Sequence, residues 1–205
     1  MEDDDRLRTS QREADEYEAE FKELLGVEEW TKAEERALAF VGESDRGVAM
    51  VGAAILSDLL GEILKTLFRD RKEVAAQLVD DPDSGSLAAF YARIKLVYCL
   101  GLVPTRVYED LNRVRRVRNH FAHTSSAASF EADPVRSLCL ELGGTSAKTY
   151  TREPRMRFHY VVGELEGCLS RILAATRKFM PAVSNVIWGS LSAGQRQWEA
   201  TRPRK

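Results

Sequence analysis

Ser44-Asp45-Arg46-Gly47-Val48-Ala49-Met50-Val51-Gly52-Ala53-Ala54-Ile55-Leu56-Ser57-Asp58-Leu59-Leu60-Gly61-Glu62-Ile63-Leu64-Lys65-Thr66-Leu67 is the stretch on which the fold turns. Val48, Val51, Ile55, Leu59, Ile63 and Leu67 recur at three- and four-residue steps, which is one face of an α-helix. Leu56, Leu60 and Leu64 add a second apolar stripe beside the first. Ser44-Asp45 supplies the cap, so a helix is expected over 45–69. A helix apolar on two stripes belongs at the centre of a bundle. Asp58 and Glu62 stand one turn apart in it, and a buried carboxylate is costly without a partner. Arg93 and Arg118 are the expected partners.

Helical spacing dominates on either side. Residues 4–26 form a charged helix, exposed or docking. Thr31 with Glu34 makes a capping box for a helix over 32–42, ended by Gly42. A short helix over 71–79 leads into the loop Asp80-Asp81-Pro82-Asp83-Ser84-Gly85-Ser86. Leu87, Phe90, Ile94, Val97 and Tyr98 mark a helix over 87–100 with Gly101 as its C-terminal cap. Pro104 or Thr105 opens the next helix, which runs to His123 with Val107, Leu111, Val114, Val117 and Phe121 inward. Residues 124–155 are the least organised, with a short helix expected after Asp133-Pro134 and a loop at Gly143-Gly144-Thr145-Ser146. A long helix over 155–179 carries Phe158, Val161, Val162, Leu165, Leu169, Ile172, Leu173 and Phe179 and stops at Pro181. No strand, repeat or heptad array is evident. The expected class is an all-α helical bundle: an N-terminal helical extension (1–43), a core (44–125), and a C-terminal loop and long helix packing on that core (126–205).

Composition narrows the function. Of 205 residues, 44% are hydrophobic and 30% charged, and the net charge of −2 gives no global field to gather nucleic acid. The three cysteines, Cys99, Cys139 and Cys168, are far apart, which argues against a disulfide framework or a zinc site and for a reducing compartment. The acidic start is the reverse of a signal peptide, and no apolar run reaches the roughly 20 residues of a membrane span. A cytoplasmic protein without membrane contact is expected. No P-loop, dinucleotide fingerprint, HExxH or GxSxG is present. Neither cofactor nor metal is expected.

The chemistry concentrates in Arg118-Asn119-His120-Phe121-Ala122-His123, which holds two of the three histidines. Arginine stabilises phosphate charge, and histidine moves protons near neutral pH. Arg113, Arg115 and Arg116 crowd the same helix; Arg113 and Arg116 read as a solvated face, while Arg115 and Arg118 border the apolar one. Five residues place Arg118 and His123 about 140° apart on a straight helix. They converge only through arginine's reach, a frayed end, or a second copy across a two-fold axis. Tyr98 is a candidate for the lining of a cleft beside the arginine helix. His159, alone in its helix, reads as structural.

Ala92-Arg93-Ile94-Lys95-Leu96-Val97-Tyr98-Cys99-Leu100-Gly101-Leu102-Val103, followed by Tyr108-Glu109-Asp110-Leu111, resembles the mannitol repressor (MtlR) family. Ala54-Ile55-Leu56-Ser57-Asp58-Leu59-Leu60 fits the same pattern, and the resemblance covers about residues 44–125. Arg118-Asn119 with His123 also looks like the R-N-x-x-x-H motif of HEPN domains, which are all-α and often dimeric. That second resemblance implies a homodimeric, metal-independent endoribonuclease of toxin–antitoxin or antiphage type. In it His123 is the acid/base, Arg118 stabilises the phosphorane, and Asn119 orients the phosphate or the histidine. Apart from that resemblance, the residues themselves make Asp58, Glu62, Arg93, Tyr98, Arg115 and His120 the expected supporting groups. RNA would be the substrate, with an inhibitor or regulatory protein as a further partner. The mannitol repressor resemblance implies instead a non-catalytic transcriptional regulator that works through protein–protein binding. The two classes part on one point, whether RNA is cleaved in EDTA through His123.

Overall fold

The computed structural model describes residues 42–68, 72–124, 128–143 and 152–201, the last of these as backbone only from 180 onward. Among the described residues there are six helices and no strand: α1 (Asp45–Leu67), α2 (Lys72–Asp80), α3 (Phe90–Cys99), α4 (Thr105–His123), α5 (Val135–Leu140) and α6 (Pro154–Thr201). The expected helices over 4–26 and 32–42, the Thr31–Glu34 box and the side chains of Trp30, Trp188 and Trp198 lie outside the described residues.

α1 is the axis of the bundle. Ser44 Oγ accepts from Gly47 N at 3.1 Å and caps it, and Asp45 in its first turn suits the helix dipole. Both apolar stripes are buried: Val48, Ile55, Leu59 and Ile63 on one, Leu56, Leu60 and Leu64 on the other. Full burial of each such side chain contributes about 1.5–3 kcal/mol. α6, α4, α3 and α2 all pack against α1. By length and composition α1 is able to cross a membrane, contrary to the reading that Asp58 and Glu62 interrupt it; most of it is instead buried within the bundle.

The 80s loop closes by backbone hydrogen bonds rather than by helix. Gly85 N donates to the Asp81 carbonyl oxygen and Leu87 N to that of Leu78, so residues 87–89 are not helical and α3 starts at Phe90. A Cβ on Gly85 would lie 2.4 Å from the Asp81 carbonyl oxygen, which explains the glycine. At the far end of α3, Gly101 takes φ +70° and Leu102 N donates to the Val97 carbonyl oxygen at 3.0 Å. This is the expected left-handed cap, and it turns the chain directly into α4.

Beneath α1, Phe121, Phe130 and Phe158 form a buried aromatic row with centroid spacings of 5.1 and 5.3 Å, joining α4, the segment before α5, and α6. Pro181 does not end α6, which continues to Thr201. A proline inside a helix forfeits one backbone hydrogen bond at a cost of about 3 kcal/mol, and the ladder resumes on both sides. Phe179, the last apolar residue of the expected helix, is exposed.

Candidate functional site

α1, α3 and α4 enclose a cleft of about 460 Å³. Small residues open it: Ala53 and Ala54 from α1, and Ala88 and Ala89 from the turn before α3. Met50 and Tyr91 form apolar borders, Asp58 stands on the α1 side, and Arg115, Arg118 and Asn119 line the α4 side. Arg115 and Arg118 are three residues apart, so they stand one above the other on α4.

The polar stretch is split by this arrangement. Arg118 and Asn119 are half-buried in the cleft wall, and Arg118 Nη1 donates to Asn119 Oδ1 at 3.0 Å. His123 is exposed in the last turn of α4 and does not line the cleft. His120 is half-buried outside it; its carbonyl oxygen accepts from Thr124 N and Thr124 Oγ1, closing the helix end. Arg46 also donates to the Thr124 carbonyl oxygen, tying the start of α1 to the end of α4. α4 remains helical to His123, and within one chain Arg118 lines the cleft while His123 does not, as the expected divergence requires.

The expected pairing of Asp58 or Glu62 with Arg93 or Arg118 is not formed. Asp58 is exposed in the cleft, and Glu62 pairs with Lys65 at 2.7 Å, which in turn reaches Asp80 at 3.1 Å. Arg93, 8% exposed, uses its whole fork on neutral acceptors. Its Nε donates to the Leu87 carbonyl oxygen at 2.8 Å, Nη2 to that of Val79 at 2.7 Å, and Nη1 to that of Ser57 at 2.8 Å and to Ser57 Oγ at 3.2 Å. The physical reason is geometric: Arg93 points at the ends of α2 and the 80s loop, where unpaired carbonyls need donors. Gly61 makes the room, since a Cβ there would lie 3.0 Å from Nη1. Arg93 is therefore a fastening among α1, α2 and α3, outside the cleft lining.

Tyr98 is also displaced from its expected place. It stacks on Tyr108 at 4.3 Å and its hydroxyl is 3.1 Å from Thr105 Oγ1, so it sits over the α3–α4 turn; Tyr91 borders the cleft instead. Tyr91, Lys95 and Tyr98 share one exposed face of α3, with Lys95 Nζ 5.6 Å from the Tyr91 ring centroid and Leu100 exposed beyond.

Arg113 is not simply solvated. Its Nη1 pairs with Asp110 Oδ1 at 3.0 Å, and the buried Asp110 also accepts from Gly143 N at 2.9 Å. Arg106 donates to the Gly143 carbonyl oxygen at 2.8 Å. Asp110, quoted from the sequence only within Tyr108-Glu109-Asp110-Leu111, carried no expected role, although its place beside the inward-facing Leu111 was the available signal. Burial pushes the Cys139 thiol up to about 12, and burial followed by the Arg155 charge lowers His159. Among the described residues, no three His, Cys, Asp or Glu side chains are placed to share a metal.

The mannitol repressor (MtlR) family model matches residues 41–157, more than half of the sequence and further toward the C-terminus than the resemblance first noted. A chain of the X-ray structure of the MtlR–HPr complex from Escherichia coli has a similar fold, with 18% sequence identity, 67% of this chain and 98% of that chain covered, and a TM-score of 0.54. No curated protein matches the sequence.

Proposed function

The chain belongs to the mannitol repressor family, and from that premise we propose that it is a non-catalytic regulator that acts by binding a protein partner. The observation that carries the non-catalytic half is the exposure of His123 outside the cleft that holds Arg118 and Asn119. A general acid/base must come within hydrogen-bond reach of the reacting atoms.

The binding half rests on the outer face of α3. Tyr91 and Tyr98 are large, exposed and two turns apart on one face of α3. Tyrosine supplies contact area at low entropic cost and is enriched where binding energy concentrates. Lys95 between the rings adds a cation. A partner with a shallow apolar patch edged by acid fits this face. The similarly folded E. coli chain comes from a complex with HPr, so HPr of the same organism is the first partner to try. Titration calorimetry should give binding that Tyr98→Ser or Tyr91→Ser weakens by about tenfold or more, as expected for a tyrosine hot spot. Absence of binding to HPr, or full binding by both variants, would remove this partner and this face respectively.

A second reading keeps one specific support: the Arg118–Asn119 pair is intact and borders an open cleft. A metal-independent endoribonuclease would then require a homodimer in which the second copy brings its own histidine to this cleft. Wild type and His123→Ala, each incubated with mixed RNA in EDTA, separate the readings. Cleavage by the wild type that the variant lacks establishes the enzyme.

A further inference from the structure

Arg115 is the cleft residue that nothing in the protein explains. It is only partly exposed, its Nε is fully buried without an acceptor, and among the described residues it makes no hydrogen bond or ion pair. Arg118 beside it gives one donor to Asn119 Oδ1 and has the rest of its fork unassigned. A donor held out of water without a partner is costly, so Arg115 marks a position for an acceptor. Asp58 does not fill it, although it borders the same cleft; neither arginine is within ion-pair distance of its carboxylate.

We infer that the α1–α3–α4 cleft is a binding site for a small organic oxyanion, held by the forks of Arg115 and Arg118. Two guanidinium groups one turn apart on α4 suit the planar, multidentate geometry of a phosphate or carboxylate. The volume of about 460 Å³ falls among small-molecule sites, which run from about 300 to 1,000 Å³. Met50 and Tyr91 offer apolar cover for the body of the ligand, which a bare inorganic ion would not use. Asp58 sets the polarity. The anionic group lies at the α4 side, and a hydrogen-bond donor on the ligand faces α1. Tyr91 belongs both to the cleft border and to the outer face of α3, so an occupied cleft adjoins the surface assigned above to a protein partner. The anion site itself does not depend on that assignment.

The test is an NMR titration of the full chain with phenyl phosphate and, in parallel, inorganic phosphate, following the arginine Nε–H signals. Saturable shifts of Arg115 and Arg118 are expected, with phenyl phosphate bound about tenfold more tightly because its ring is covered. Arg115→Gln should weaken binding by about tenfold or more through loss of charge-assisted hydrogen bonds. Ala54→Trp, at an exposed cleft position, should block the site, and it decides the matter if Arg115→Gln fails to fold. No saturable shift, or unchanged binding in the variants that fold, overturns the inference. Equal affinity for the two phosphates overturns the organic ligand, and so does displacement of phenyl phosphate by a far tighter short RNA. No protein partner is present in the titration, so its failure is separate from any failure of partner binding.

Discussion

Arg118 Nη1 donates to Asn119 Oδ1 at 3.0 Å, so adjacent residues of the polar stretch act as one group on the wall of the cleft. That bond holds the guanidinium against α4 while His123, exposed, stays outside. Asn119→Ala should therefore cost about 0.5–1.5 kcal/mol, the range of a partly buried hydrogen bond. His123→Ala should change stability by no more than about 0.5 kcal/mol, as surface substitutions do. Urea unfolding of both variants checks the contrast, and a larger loss for His123→Ala would mean that it holds the bundle.

Arg93 should be the more sensitive position by far. Arg93→Met leaves the Val79 and Leu87 carbonyl oxygens without these donors, removes the second donor from the Ser57 carbonyl oxygen, and should destabilise by about 3 kcal/mol or more. Gly61→Ala crowds the same guanidinium and should cost about 1 kcal/mol net of its helix preference. The double variant should be less destabilised than the sum, because the crowded group is gone. Strict additivity in denaturant unfolding would contradict the contact.

Much of this was legible in advance, and the failures share a cause. The apolar stripes of α1 and the inward row of α4 follow from spacing alone, and both are buried as expected. Pairings were not legible. Asp58, Glu62 and Arg93 looked mutually necessary because a buried charge needs a partner, but periodicity does not report that Arg93 ends beside unpaired carbonyls or that Asp58 faces the cleft opening. Tyr98 was misplaced for a similar reason: the α3–α4 cap, with Gly101 at φ +70°, brings Tyr108 over it. Arg118 and Asn119 were found because their chemistry is dense in sequence. Spacing puts Arg115 at the border of the apolar face, but only the structure shows that its Nε has no acceptor.

Thiol reactivity should separate the cysteines. Cys139 is buried with its thiol pushed up to about 12, burial also raises Cys168, and Cys99 is exposed. At pH 8 a thiol reagent should modify Cys99 rapidly, the half-buried Cys168 more slowly, and Cys139 only after unfolding. Because the fold raises the Cys139 pKa above its ordinary value of 9.0, its contribution to stability is complete below that pH. It is lost as pH rises toward about 12. Rapid modification of Cys139 in the native protein would contradict its burial.

His159 carries the opposite dependence. Burial and then Arg155 lower its pKa below the ordinary 6.5, so the unfolded chain takes up the proton more readily. Its contribution is present above pH 6.5 and is lost as pH falls through the folded value. His159→Gln should flatten the fall in melting temperature on acidification from that point. An unchanged slope would assign the acid sensitivity to other groups.

Hydrogen–deuterium exchange of the chain with and without HPr tests the proposed regulator most directly. The account predicts slowed exchange along α3 and its cap, residues 90–102, with that slowing abolished by Tyr98→Ser. An exchange pattern unchanged by HPr, or protection confined to surfaces away from α3, would contradict it.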